Sequence, residues 1–454
     1  MQIDKTKELE TKGIGALLLA YAIPSVVSQI IASVYNICDR IFIGQGVGAL
    51  AIAGLAITMP VMNIVHAFGA LVGVGAGARM SIVLGKKDVN WAENILGNSV
   101  IFTTILSGLV MLFGYLFMDK ILILFGATPD TVSYAHEYMV IVLPGMFLLT
   151  MAFNLASLIR ASGYPTKSML ILGSGAILNI VLDALFIFRF DMGIAGAAWA
   201  TTISMAFATV LSATHFLRKD SFIRFRRHGF KPRGYIFKNI FMIGMSPFLM
   251  NVAAAGVVAI LNRQLIRFGG DFAVGAYGIT NSFMNFMVLI IIGVCQGMQP
   301  IAGYNYGAGH PQRLKRVYAL TMKVCVALGI LSAVLGCAMP RLISMAFTSD
   351  TALLDISQKA LPLISVMSPL IAFTIVNSNF FQSIDKPWIA IATSLSRQVI
   401  FLIPMMYLVP MIFTKLGYAP LYGVFASCTA SDIFGAVLAF VLMLTQKKVF
   451  RVKE

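Results

Sequence analysis

The sequence predicts an all-α polytopic membrane protein: twelve transmembrane helices in two six-helix lobes, related by a pseudo-twofold axis along the membrane normal. Three observations carry this reading. The composition is too apolar for a soluble domain, helix-length apolar runs follow one another along the chain, and an internal repeat spans its two halves.

Of 454 residues, 59% are hydrophobic and 11% charged, with a mean hydropathy of +0.87, against roughly 25% charged residues in a soluble domain. A bilayer core about 30 Å thick needs about 20 apolar residues per helix. Runs of that length fall near 14–43, 51–79, 93–117, 138–160, 168–190, 193–217, 239–266, 273–302, 317–338, 359–382, 388–413 and 419–445. The first follows Lys5, Lys7 and Lys12 but is too long for a signal-peptide core, so it is expected to remain as a helix.

The net charge of +16 would suggest nucleic acid in a soluble protein. Its distribution argues otherwise: with both termini placed in the cytoplasm, Lys and Arg concentrate in the inward segments. That is the positive-inside pattern, and it needs no polyanionic partner. Five cysteines (Cys38, Cys295, Cys325, Cys337, Cys428) lie within predicted spans without CxxC spacing, and the five histidines are scattered. Neither set has a metal-ligand pattern, and no cofactor is expected.

The longest polar stretch, "RKDSFIRFRRHGFKPRGYIFK", divides the chain into an N-terminal lobe (1–217), a basic cytoplasmic linker (218–238) and a C-terminal lobe (239–454). "LAIAGLAITMPVMNI" (Leu50 to Ile64) aligns with "FAVGAYGITNSFMNF" (Phe272 to Phe286), and the register continues through Val72/Val294, Gly75/Gly297 and Gly85/Gly307. One residue of slip upstream sets Pro24 against Pro247, Asp39 against Asn262 and Arg40 against Arg263. Six helices per half return the chain to its starting side. The repeats therefore run parallel, and a substrate site belongs between them.

Three acidic residues fall inside predicted spans: Asp39, Asp183 and Asp432. A carboxylate at a helix centre costs about 2.5–3.5 kcal/mol on insertion scales, so each is a functional-site hypothesis. Asp39 and Arg40 are neighbours and point about 100° apart, which lets Arg40 reach outward while Asp39 faces inward. In "LNIVLDALF", Asn179 and Asp183 share one helix face, and Thr201 in "GIAGAAWATTIS" adds a hydroxyl. Two carboxylates in a dry bundle cannot both stay ionised, so the group holds a proton or a cation such as Na⁺. The bland alternative is helix-packing hydrogen bonds. Arg397 and Asp432 are the charged pair of the second half, with no spacing argument that they meet; a structural and a functional role stay open.

"VGVGAGAR" (Val72 to Arg79) superficially resembles a phosphate loop but lies in an apolar span without a GKS or GKT ending, and reads as close helix packing. No Walker A motif occurs, so active transport would draw on an ion gradient. The 26 Met and 33 Phe suit an adaptable cavity. No HExxH, Asp-rich pair or Ser/His constellation points to an enzyme.

Taken together, "CDRIFIGQGVGALAIAGL", "IRASGYPTKS" (Ile159 to Ser168), "GYNYGAGHPQR" (Gly303 to Arg313), the twelve spans and the basic linker resemble the multidrug and toxic compound extrusion (MATE) transporters, in particular their bacterial drug-exporter branches. The resemblance covers essentially the whole chain. It implies a cation site, for Na⁺ or H⁺, made of Asp39, Asn179, Asp183 and Thr201, with Tyr35, Asn36 and Asn154 in the adjoining pocket. Some branches carry acids in the seventh and tenth helices; this chain has none there, which leaves Asn262, Arg397 and Asp432 without a definite role. The expected function is export of amphipathic, often cationic, drug-like molecules in exchange for H⁺ or Na⁺, by a monomer in the bacterial cytoplasmic membrane that contacts lipids and no nucleic acid. The alternative is a lipid-linked oligosaccharide flippase of the same wider superfamily.

Overall fold

The computed structural model describes residues 5–219 and 221–450. The basic tail residues Arg451 and Lys453, which belong to the inward C-terminal segment of the positive-inside reading, lie outside them. Among the described residues the chain is helical throughout, without strands. The first half holds α1 (Lys7–Thr11), α2 (Ile14–Gly46), α3 (Ala49–Gly85), α4 (Val89–Leu116), the short α5 (Met118–Leu124), α6 (Val132–Ala161), α7 (Pro165–Ala184) and α8 (Gly193–Leu217). The second holds α9 (Gly234–Gly307), α10 (Pro311–Ala338), the short α11 (Pro340–Met345), α12 (Thr351–Ser365), α13 (Ser368–Ser383), α14 (Pro387–Leu395), α15 (Leu402–Lys415) and α16 (Pro420–Thr445).

Ten of these stretches are each long and apolar enough to cross a membrane. Two of the sequence-derived spans share α9, whose 74 residues would reach about 111 Å if straight, far more than one bilayer core. Gly270 breaks it: at φ 65° and ψ −160° it adopts a conformation open to glycine alone, and α9 becomes two limbs. A further span is α12 followed by α13, bent by 49°. Pro369 in the first turn of α13 has no N–H to donate back to the α12 ladder, so the helical bonding is interrupted there. The second limb of α9 and the bent pair, added to the ten, give the twelve expected spans.

The backbone repeats more faithfully than the side chains. Positive φ angles recur in pairs: Gly48 with Gly270, Lys87 with Gly309, and Gly163 with Asp385. Each pair is 222 residues apart, the offset of the sequence repeat. Lys87 and Gly309 end α3 and α9 alike. The following residues close the same i→i−5 bond, from Asp88 N to the Val83 carbonyl and from His310 N to the Asn305 carbonyl, as left-handed C-caps do.

The linker is docked on the start of α4. Buried Asn98 donates to the carbonyls of Gly229 and Lys231 (2.9 and 3.0 Å) and accepts from the Arg233 amide (2.7 Å). At that end of the bundle the lobes pack backbone to backbone. A Cβ on Gly75 would collide with the Ile240 carbonyl, on Gly244 with that of Leu71, and on Gly297 with the backbone of Ala22. Glycine is required there because only a missing side chain lets helices approach so closely. Arg79 of α3 pairs with Asp385 at 2.8 Å, and α1 straps the same end. Arg313 donates to the carbonyls of Leu9 (3.0 Å) and Lys12 (2.8 Å), while Glu10 meets Lys87 at 3.5 Å and the Tyr304 hydroxyl at 3.3 Å.

Candidate functional site

Toward the opposite end the same helices part. Beyond Ala22, Leu71, Gly244 and Gly293 the lobes are separated by a cavity of about 880 Å³, walled by α2, α3, α6, α8 and both limbs of α9. The repeat-related Asn63 and Asn285 face into it, as do Met59, Met62, Met146 and Met205. A second cavity of about 300 Å³ runs deeper into the C-terminal lobe. The two share Gln29, His66, Asn251 and Ile292 in their walls, so they form two arms of one forked space.

Behind the first arm lies the predicted carboxylate group. Asp183 and Asn179 are fully buried on one face of α7, as their four-residue spacing requires, and Asp39 is 9% exposed on α2. With the Asn179 amide oriented as its neighbours require, its nitrogen donates to Asp183 Oδ2 at 3.2 Å and its oxygen accepts from the Thr201 amide at 3.2 Å. The Thr201 hydroxyl stands 3.3 Å from the same amide group. Asp39 Oδ1 and Asp183 Oδ1 are buried without a hydrogen-bond partner. Two carboxylate oxygens left bare in a low-dielectric interior are unfavourable unless a proton or cation joins them. Asp, Asn and Thr oxygens are hard ligands that fit Na⁺ as well as a shared proton.

Tyr35 and Thr201 connect this group to the cavity. Both line the larger arm; Thr201 touches Asn179, and Tyr35 lies within electrostatic reach of Asp39 and Asp183. Tyr138 of α6, almost wholly buried, stands within reach of the same carboxylates and of Thr201. No sequence argument singled it out, because a lone tyrosine in an apolar run carries no charge or spacing signal. α7 widens into a π-helical turn at Leu185–Arg189, directly after Asp183, a distortion frequent at functional sites.

Other predicted residues are placed differently. Asn36 lines the cavity, its amide donating back to the Ala32 carbonyl at 2.7 Å. Asn154 does not join the carboxylate group. It is fully buried against α4, donating to Ser99 (3.2 Å) and Thr103 (3.1 Å), and it lines neither arm. The register that suggested it located the helix but not the helix face. Asn262 is half-buried with no side-chain hydrogen bond among the described residues, apart from the carboxylates that its repeat partner Asp39 joins. Arg40, expected to reach outward, turns into the cavity wall, where it approaches Met59 Sδ at 3.1 Å.

Arg397 and Asp432 do meet, at 2.9 Å, with Asp432 buried and Arg397 opening onto the deeper arm. Arg397 sits in the second π-helical turn, Ser396–Phe401, between α14 and α15. Nearby, Gln299 donates to Asn379 (3.1 Å) and Gln382 (2.9 Å), and Ser246 lies 3.2 Å from Ser394. These amides and hydroxyls were not anticipated, since only charges stand out from an apolar background. Among the described residues no carboxylate lines either arm. Among the described residues no cluster of three or more His, Cys, Asp or Glu side chains assembles as for a transition metal.

The family model MatE matches residues 24–185 and 243–408, once in each lobe. The multidrug export protein MepA of Staphylococcus saprophyticus is 27% identical over 340 residues, and MepA of Staphylococcus aureus is 28% identical over 340 residues. Both alignments cover 75% of either chain. A solved structure described as an outward-facing conformation of a multidrug resistance MATE family transporter has the same fold, with a TM-score of 0.91 at 22% identity over 99% of each chain. With the family model matched over well more than half the sequence in two copies that coincide with the repeat, this chain belongs to the MatE family.

Proposed function

We propose that the chain is a secondary multidrug exporter that moves amphipathic molecules out through the forked cavity in exchange for H⁺ or Na⁺ bound at Asp39 and Asp183. The observation that carries this reading is the pair of buried, unpartnered carboxylate oxygens beside the cavity-lining Tyr35 and Thr201. A proton or Na⁺ arriving there cancels charge in the N-terminal lobe and changes what α2, α7 and α8 can pack against, which alters the wall a substrate sees. The relatives named multidrug export proteins support the substrate class. In this reading the linker end is cytoplasmic by the positive-inside rule, both termini are inside, and the conformation described is open to the outside.

One ion entering down about 100 mV as a molecule of zero net charge leaves supplies about 2.3 kcal/mol, or roughly 50-fold accumulation; a monocation leaving in exchange draws on the ion's concentration gradient instead. Asp183→Asn is the direct test. Efflux of a cationic dye from cells is expected to be abolished while the folded protein stays in the membrane; undiminished efflux in that variant rules the reading out. Imposing ΔpH and ΔNa⁺ separately on proteoliposomes identifies the coupling ion, and efflux that follows neither counts against exchange.

A further inference from the structure

Among the described residues the fixed charges on the cavity walls are both positive: Arg40 in the larger arm and Arg397 in the deeper one. We propose that the deeper arm is a receptor for an anionic group, typically a carboxylate, carried by the exported molecule, with Arg397 as its principal ligand. Zwitterionic amphipaths, bearing a carboxylate as well as an amine, then become a preferred substrate class. The proposal rests on the export reading for its biological sense, but the binding it describes does not depend on transport.

The Arg397–Asp432 pair is one-sided. Asp432 is 2% exposed and sits behind the guanidinium, while Arg397 is 22% exposed toward the arm. A guanidinium has five N–H donors, and only Nη1 has a partner, Asp432 Oδ1, among the described residues. The side chain lines the deeper arm, and its remaining N–H groups carry the fork chemistry that matches a carboxylate. The seat is built for this side chain: a Cβ on Gly435 would come within 3.0 Å of the Arg397 Cβ, and the π-helical turn Ser396–Phe401 sets its direction.

The surrounding amides add hydrogen-bond donors beside the guanidinium. The side-chain oxygens of Asn379 and Gln382 already accept from Gln299. Their own nitrogens donate to the carbonyls of Ile375 and Ile243. Each of these two amides therefore keeps one free N–H. Among the described residues the arm offers a fixed cation and spare N–H groups and no carboxylate, so it favours an anionic group over a cationic one, which would meet like charge and find no counter-ion.

The test uses rhodamine 110, which carries a free carboxylate, and rhodamine 123, its methyl ester, bound to the full chain in nanodiscs without any gradient. Arg397→Met combined with Asp432→Leu removes both charges, so neither is left unpaired in the bilayer. The double variant is expected to lose about 10-fold or more in affinity for rhodamine 110, while affinity for the ester changes less than about two-fold. Arg397→Lys keeps the pair with Asp432 but lacks the fork, and should lose several-fold for the acid only. Equal losses for acid and ester, no loss for the acid, or no saturable binding of the acid to the wild-type chain would overturn the proposal. Binding is read without transport, so an export-dead Asp183→Asn chain that still prefers the acid separates the two readings.

Discussion

Gly85 and Gly307 each press against the helix that carries the other. A Cβ on Gly85 would collide with the Tyr304 carbonyl and one on Gly307 with the Ile82 carbonyl, and Ile82 and Tyr304 are themselves repeat partners. The pseudo-twofold axis passes between these contacts, and they bring α3 and the second limb of α9 together at the linker end. Gly307→Val cannot be accommodated without parting the helices, a cost of about 1–3 kcal/mol. A cysteine placed at buried Ser81 should then be labelled severalfold faster by a membrane-impermeant maleimide reaching the linker end. Unchanged labelling would mean that the contact is not what closes it.

Arg79 and Asp385 clasp the same end at 2.8 Å. Asp385→Asn tolerates the left-handed backbone at φ 60° but gives up the charge. Because the Asp385 side chain is 37% exposed, screening holds the loss to roughly 1 kcal/mol. That is about a five-fold shift toward the opened linker end, measurable as a change in the distance between spin labels on α3 and α13.

Glu10 gives this end a pH dependence. Its partial removal from water works to raise its pKa, but the charge of Lys87, the hydrogen bonds from Lys87 and the Tyr304 hydroxyl, and the nearby His310 together hold it below the ordinary 4.5. A carboxylate with a depressed pKa contributes fully above its ordinary value, and the contribution is lost as pH falls through the depressed one. Hydrogen-exchange protection of the Lys7–Thr11 amides should therefore hold steady from pH 7 to about 5 and fall only below the ordinary glutamate range. Glu10→Gln should show reduced protection at pH 7 and no acid transition.

Neutralising one member of the buried carboxylate group should stabilise the fold while stopping exchange. Asp39→Asn exchanges a buried carboxylate with an unpartnered oxygen for a neutral group of the same shape. It should raise the melting temperature in detergent at high pH, where the wild-type group lacks its proton. If Na⁺ is the coupling ion, adding NaCl in place of choline chloride at constant ionic strength raises the wild-type melting temperature by mass action and leaves that of Asp39→Asn unchanged. If H⁺ is, neither responds to Na⁺.

Much of the architecture was legible because hydrophobicity in a bilayer follows helix length, and a shared helix face follows from a spacing of four. Asn179 and Asp183 could thus be paired from the sequence, while Thr201 was joined to them by the family resemblance. What stayed hidden depended on rotation about helix axes or on contacts between distant helices. Asn154 was assigned to the correct helix but faces α4. The Arg397–Asp432 contact joins two spans whose relative rotation no periodicity specifies. Tyr138 and the Gln299–Asn379–Gln382 amides carry no formal charge, so nothing set them apart from their apolar surroundings.

The turn that holds Gly163 in one lobe holds Asp385 in the other, at the same left-handed backbone position. A glycine there adds nothing beyond permission to bend, while an aspartate adds a hook for Arg79. The two halves therefore share a chassis but not a fastener, and on these contacts alone any rocking of one lobe against the other would be biased toward one side. Moving the whole clasp, with Gly163→Asp and Ile301→Arg introduced and Arg79→Ile and Asp385→Gly removing the original, would ask whether direction of travel is written in the backbone or in one ion pair.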